Sequence, residues 1–267
     1  SSMKASHIVI LKQNSQPFHP QLGQQVVDWV TVGKWLSPRS FLPQLFRYSG
    51  ATLVTYDQAR LTKPLFVALL LRLLTLRQVT ILSESGRRQS VTIGYLLTLF
   101  GAFVRDWIAQ DAVRRRALQD IQRLEVAQKS LPRSRHLAAS WPLYLRTDLV
   151  FGLKSGGSVG HIAGVLNQLA HFCGEPIFIT SDRIPTVRND TETLIVPPAA
   201  RFRDFVEAAQ LFYNQTFLAA SRAYLNGREP GFIYQRYSVN NYAGVALAQQ
   251  FKRPLVLEYN GSAVWVY

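Results

Sequence analysis

Apolar positions along the chain recur with two periods. Short runs rich in branched and aromatic residues, bounded by Gly, Pro, Asn or Asp, predict buried strands at residues 7–11 (HIVIL), 51–56 (ATLVTY), 78–82 (QVTIL), 176–180 (PIFIT), 194–196 (LIV), 231–234 (GFIY) and 255–258 (LVLE). Residues 29–32 (WVTV) predict a further short strand. Helical spacing fills the intervals. Ser37 and Pro38 open one helix, with Phe41, Leu42, Leu45 and Phe46 on one face and Gly50 as its stop. Thr62 caps an apolar helix over residues 64–76, and residues 92–130 predict a long helix with an apolar start and a charged end. Helices over 202–224 and 242–250 follow, the last behind Asn240 or Asn241. Strands alternating with helices at this spacing predict an α/β fold of Rossmann-like parallel sheets covered by helices. Residues 132–141 read as a crossing loop, which divides the chain into an α/β half-domain over 1–140 and a Rossmann-like domain over 141–267.

The second half is organised around residues 149–165 (LVFGLKSGGSVGHIAGV). Residues 143–153 predict the first strand of this half, with Leu149, Val150, Phe151 and Leu153 in its last part; Gly156, Gly157 and Ser158 predict a turn, and the residues from Val159 a helix. Paired glycines there let backbone N–H groups approach a ligand with no Cβ in the way, at the positive end of a helix dipole. Two readings fit: a cradle for phosphate, carboxylate or sugar hydroxyls, or a bend that only lets helix and strand pack closely. The spacing is neither G-x-G-x-x-G nor a P-loop. In a doubly wound sheet, ligands collect outside the carboxyl ends of the strands. The polar groups expected there are Ser155 to Ser158, Ser181 and Asp182, Gln235 and Arg236, and Asn260; in the first half they are Asp57 and Ser83 to Ser85.

Charge narrows the range of partners. The 267 residues carry 30 Lys and Arg against 16 Asp and Glu, a formal net charge of +14. An excess of that size selects anionic partners: phosphorylated substrates, an anionic lipid surface or nucleic acid. A single cysteine, Cys173, excludes an intramolecular disulfide and a cysteine zinc site, and the histidines show no metal-ligand spacing. No secretory signal and no run of membrane-spanning length is visible. No RRM, KH or helix-turn-helix signature accompanies the charge, so nucleic acid is not the expected partner.

The segments SGGSVGHIAGVLNQL, FITSDRI, FIYQRYSVNNYAGVALA and RPLVLEYNGS, in that order and at those spacings, resemble the N-terminal half of a retaining GT-B glycosyltransferase of the bacterial exopolysaccharide and glycolipid type. The resemblance covers residues 149–267. It implies an acceptor-side domain whose glycine turn borders the donor diphosphate, a nucleotide sugar as substrate with no further cofactor, and a lipid-linked or polysaccharide acceptor. It also implies a second, donor-binding domain carrying two glutamates eight positions apart. No two glutamates here stand at that distance, so the chain reads as half of such an enzyme, with weak or no turnover expected alone. After Asn260, Gly261 and Ser262 the family pattern has an acidic residue, and this sequence has Ala263.

The donor- and acceptor-binding candidates are therefore Gly156, Gly157, Ser158, His161, Asp182, Arg236 and Asn260. Each has a plainer reading: His161 as a structural helix residue, Asp182 as a turn residue, Arg236 as a surface ion pair. Glu258 either faces the ligand or pairs with Arg253, and Tyr234, Tyr237 and Tyr242 either stack on sugar rings or fill the core. No catalytic residue and no metal ligand is nominated. The long helix starts with Tyr95, Leu96, Leu99, Phe100, Phe103 and Trp107 and continues into Arg105, Arg114, Arg115 and Arg116. That sequence fits either a solvated helix face or an interfacial helix on anionic lipid, which a lipid-linked acceptor on the cytoplasmic face of a membrane would call for. Against the transferase stands a second class, a non-catalytic basic module gripping anionic membrane or nucleic acid.

Overall fold

A computed structural model describes residues 7–12, 23–35, 37–130 and 140–259. The chain forms two compact units. The first comprises Ser1–Ile108 with Ala200–Phe205, the second Ala109–Ala199 with Val206–Tyr267.

The first unit runs β1 (His7–Leu11), β2 (Gln24–Asp28), α1 (Trp29–Lys34), α2 (Pro38–Phe41), β3 (Gly50–Thr55), α3 (Pro64–Leu74), β4 (Gln78–Ser83), β5 (Arg88–Ser90) and the start of α4 (Ile93–Ser130). Its sheet has the order β2-β1-β3-β4-β5, parallel except for β5. Alternation puts Ile8, Ile10, Ala51, Leu53, Val79 and Ile81 on one face, where they form a single core with Val32 of α1, Val67, Leu70, Leu71 and Leu74 of α3, and Leu99 of α4.

Several local expectations are corrected here. Residues 29–32 are helical, not a strand, because the Asp28 carboxylate accepts from Thr31 N at 2.6 Å and caps α1; the strand is the preceding segment. The helix from Pro38 does not reach Gly50: it gives way after one turn to a 3-10 turn over Leu42–Gln44, since Pro43 cannot donate to the ladder. Thr62 does not cap α3. Lys63 occupies that position with φ 52°, and Leu65 N donates instead to Asp204 at 3.2 Å. Beyond the turn at Gly86 (φ 80°) the chain returns as β5, whose sequence RQS carries no apolar alternation to announce it.

In the same unit Asp106 is only 5% exposed and accepts from Arg201 Nε at 2.6 Å, Phe202 N at 2.7 Å and Arg105 Nε at 3.0 Å. Burial alone would raise this carboxyl's pKa, but those bonds hold it below the usual range.

The second unit runs from the remainder of α4 through β6 (Pro142–Arg146), α5 (Gly157–Leu169), β7 (Ile177–Thr180), β8 (Thr193–Ile195), α6 (Val206–Leu225), β9 (Phe232–Arg236), α7 (Ala243–Phe251) and β10 (Leu255–Glu258). All five strands are parallel, in the order β10-β9-β6-β7-β8. The first strand of this unit is central, two successors lie on one side and the last two on the other. This is a Rossmann-like order, with its switch point between β6 and β9. Tyr144, Phe178, Val159, Ile162 and Leu166 form the core between the sheet and α5.

The strand expected over residues 143–153 forms only in its first part, and Leu149–Leu153 is not in it. β6 ends at Arg146, and residues 147–156 form a loop. The cause is Arg146 itself, 1% exposed. Its guanidinium bonds the Asp148 carboxylate at 2.9 and 2.7 Å and the Val150 carbonyl at 2.5 Å, turning the chain out of the ladder. Val150 consequently stands 48% exposed. Among the described residues, no helix is long and apolar enough to cross a membrane.

Candidate functional site

Register decides what meets at the carboxyl edge of the second sheet. Glu258 pairs with Arg236, Arg236 with Arg146, and Arg146 with Thr180, so the ends of β10, β9, β6 and β7 form one row. Residues in register point to the same side of a sheet. Two positions earlier, Tyr144 and Tyr234 stack at 4.9 Å on the α5 side. Arg236 therefore projects toward α5, where its Nη2 donates to Ser158 Oγ at 3.2 Å and its Nη1 to Glu258 Oε1 at 2.8 Å.

Glu258 is the hub of this cluster. Its side chain is 8% exposed, His161 Nε2 lies 3.1 Å from Oε1, and Tyr144 OH donates to Oε2 at 3.3 Å. Burial first, and the carboxylate's charge second, push the Tyr234 hydroxyl up to about 12 and Tyr144 higher still. Both phenols remain neutral donors across the physiological range.

The glycine turn sits beside this cluster. Gly156 adopts φ 109°, a conformation open to glycine, and occupies the N-cap of α5 with no side chain capping the helix. Gly157 and Ser158 are exposed, and a Cβ built on Gly157 would meet nothing within 4 Å. The first amides of a helix have no partner within it, so this end presents N–H donors to solvent. The arrangement thus offers cationic and amide donors for an anion, and a carboxylate, an imidazole and a hydroxyl for neutral polyols.

The other candidates lie as follows. Asp182 is 4% exposed and accepts from Gly152 N at 2.8 Å, shaping the loop before the turn rather than lining the open edge. Tyr242 is buried and donates to Asp120 at 3.0 Å. Tyr237 and Tyr259, 39% and 60% exposed, form a tilted ring pair at 5.2 Å just past the ends of β9 and β10. Arg253 pairs with Glu229, not Glu258. Asn260 and Ala263 lie outside the described residues. On the long helix, Arg105 is bonded to Asp106 and Arg114 to Glu207 at 2.9 Å, while Arg115 and Arg116 are exposed.

Sequence reasoning missed Arg146, and it named Glu258 and Gln235 without their partners. Glu258 was weighed against a pairing with Arg253, and only the β9–β10 register shows its partner. Arg146 looked like one cation among many. Gln235, 2% exposed, donates to Thr147 Oγ1 at 3.4 Å and Asn241 Oδ1 at 3.0 Å and accepts from Gly244 N at 2.9 Å, holding the switch point together. Glutamine in mid-strand was the available signal.

In the first unit the corresponding edge is filled. Gln58 Nε2 donates to the carbonyls of Ile81 at 2.7 Å and Arg87 at 2.9 Å, and its backbone N donates to Ser83 Oγ at 3.2 Å. Asp57 caps a 3-10 turn over Gln58–Arg60. A separate cavity of about 520 Å³ lies among Ile121, Leu124, Tyr242, Val245 and Gln249, on α4 and α7. Among the described residues, no group of three or more His, Cys, Asp or Glu could hold a metal ion.

Fold and site together define a Rossmann-like α/β protein with a polar, glycine-flanked switch point. No protein-family model matches the chain, and no curated protein or solved structure matches it.

Proposed function

We propose that this chain is the acceptor-side part of a retaining glycosyltransferase that moves a sugar from a nucleotide donor to a lipid-linked or polysaccharide acceptor at the inner face of a membrane. The reading rests on the resemblance of residues 149–267. The single observation that carries it is the meeting of Arg236, Glu258, His161 and Ser158 at the uncapped start of α5, on the switch point of the sheet. In the proposal the amides of Gly157 and Ser158, with Arg236, neutralise the donor diphosphate as it departs, which is electrostatic stabilisation of a leaving group. Glu258 and His161 hold sugar hydroxyls, and Tyr237 and Tyr259 offer ring faces to the acceptor. The protein's contribution is placement of the two reactants.

Calorimetric titration with UDP- and GDP-sugars tests this, comparing wild type with Gly157→Val. The added side chain enters open space, so the melting temperature should hold while affinity falls by roughly tenfold or more from loss of close backbone approach. Binding that ignores the substitution and instead follows a steep salt slope for any polyanion would replace the transferase with a basic binding module.

A further inference from the structure

The outward side of α3 runs against the usual order of a surface helix. Its inner positions Val67, Ala68, Leu70, Leu71 and Leu74 are buried against the first sheet. The opposite positions should then be polar. Instead they are Phe66, Leu69 and Leu73, 46%, 45% and 41% exposed, followed by Leu76 at 76%. The start of α4 repeats the pattern. Leu99 joins the core with Tyr95 and Leu96 packed beside it, so those three do not face outward as an interfacial helix would need. A second stripe does: Ile93, Leu97, Phe100, Trp107 and Ile108 are 55% to 74% exposed and fall on one side at 3.6 residues per turn. Both helices bury their inner sides in the core on the same face of the sheet, so both apolar stripes point away from that face in the same sense.

We infer that this surface of the first unit docks on an anionic lipid bilayer, with the outward sides of α3 and the first turns of α4 entering the headgroup–acyl boundary. Charge identifies the occupant. From Asp57 to Asp106 the sequence has seven cations, Arg60, Lys63, Arg72, Arg77, Arg87, Arg88 and Arg105, four more than its acids Asp57, Glu84 and Asp106; Arg60 pairs with Asp57 and Arg105 with Asp106. Lys63 and Arg77, both exposed, bracket α3 at its two ends. Apolar stripes flanked by a net positive charge suit an anionic membrane surface, since insertion and headgroup attraction then act together. A second copy of this chain would bring the same cations against themselves, which disfavours self-association through this face. The inference involves the first unit alone and does not depend on sugar transfer, whose site is on the second.

Flotation of the full chain with vesicles of phosphatidylcholine containing phosphatidylglycerol, against phosphatidylcholine alone, tests it. Binding is expected to the anionic vesicles, weakening with salt. Leu69→Gln with Leu73→Gln, and separately Leu97→Gln with Phe100→Gln, keep good helix formers at exposed positions and should each lower the partition by roughly tenfold or more. Phe172→Gln, at an exposed position of the second unit, should not. Absence of anionic-vesicle binding, or binding untouched by both double variants, overturns the inference. So does a dimer in sedimentation that the same variants dissolve while no vesicles bind. Nucleotide-sugar titrations of these variants should match wild type, so failure here leaves the transferase reading to its own test.

Discussion

The two sheets end differently. Both are twisted layers of mostly parallel strands with helices packed on them, and in both the chain leaves the carboxyl edge through polar turns. In the first, that edge is closed by its own side chains: Gln58 spans two carbonyls and Asp57 caps the turn beside it. In the second, the edge carries an ion pair between Arg236 and Glu258 next to an uncapped helix with exposed glycines. Architecture alone therefore does not mark a site. What distinguishes the candidate edge is that its strand-end polar groups pair with one another beside an exposed, uncapped helix start, rather than being consumed by the backbone around them.

Three substitutions would break or sharpen that contrast. The largest effect is expected from Arg146→Met, because the buried guanidinium shapes the loop that delivers the glycine turn. Removing it strips the guanidinium from the Val150 carbonyl and from the Asp148 carboxylate, which keeps only the Val150 N–H at 3.1 Å, and the second unit should lose about 3 kcal/mol or more in chemical denaturation. Gln58→Ala attacks the closed edge. It removes one bond from the Ile81 carbonyl and one from the Arg87 carbonyl, the latter still accepting from Ser83 N at 2.9 Å, and a loss of about 1–2 kcal/mol in the first unit is expected; a neutral result would mean that this edge is not held shut by Gln58.

The smallest change is spectroscopic. Tyr234 has its folded pKa raised to about 12, so the stability it contributes is fully present below its unfolded value near 10 and is lost as pH rises from there through about 12. Glu258→Gln removes the second cause of that shift, and phenolate absorbance should then appear at lower pH. An unchanged titration would show that burial alone sets it.

The strands were the legible part. Residues 78–82, 176–180 and 255–258 are branched-chain runs ended by polar residues, and they form β4, β7 and β10 close to those bounds. Leu149–Leu153 has the same apolar composition and forms a loop, because a buried arginine three positions earlier competes for the backbone. β5 has no apolar face at all and is held by the hairpin it closes. The glycine turn was visible as a local motif, and its neighbours His161 and Arg236 as polar groups in suitable places. Their convergence on Glu258 was not, since it depends on the pairing of β9 with β10 and of both with β6, contacts far apart in the chain. The same limit applies to the long helix: Tyr95, Leu96, Leu99, Phe100 and Trp107 read as one apolar start, and only packing shows that the first three meet the core while Phe100 and Trp107 stay exposed.

The short return of the chain at Ala200–Phe205 has a practical outcome for anyone dissecting the protein. A fragment ending at Ile108 would keep Asp106 but forfeit the Arg201 and Phe202 donors that hold its charge, and would leave the first turn of α3 without Asp204. Six residues borrowed from far downstream thus make the leading unit inseparable by simple truncation. An independently folding version would have to splice that strap back on, for instance through a short linker after residue 108.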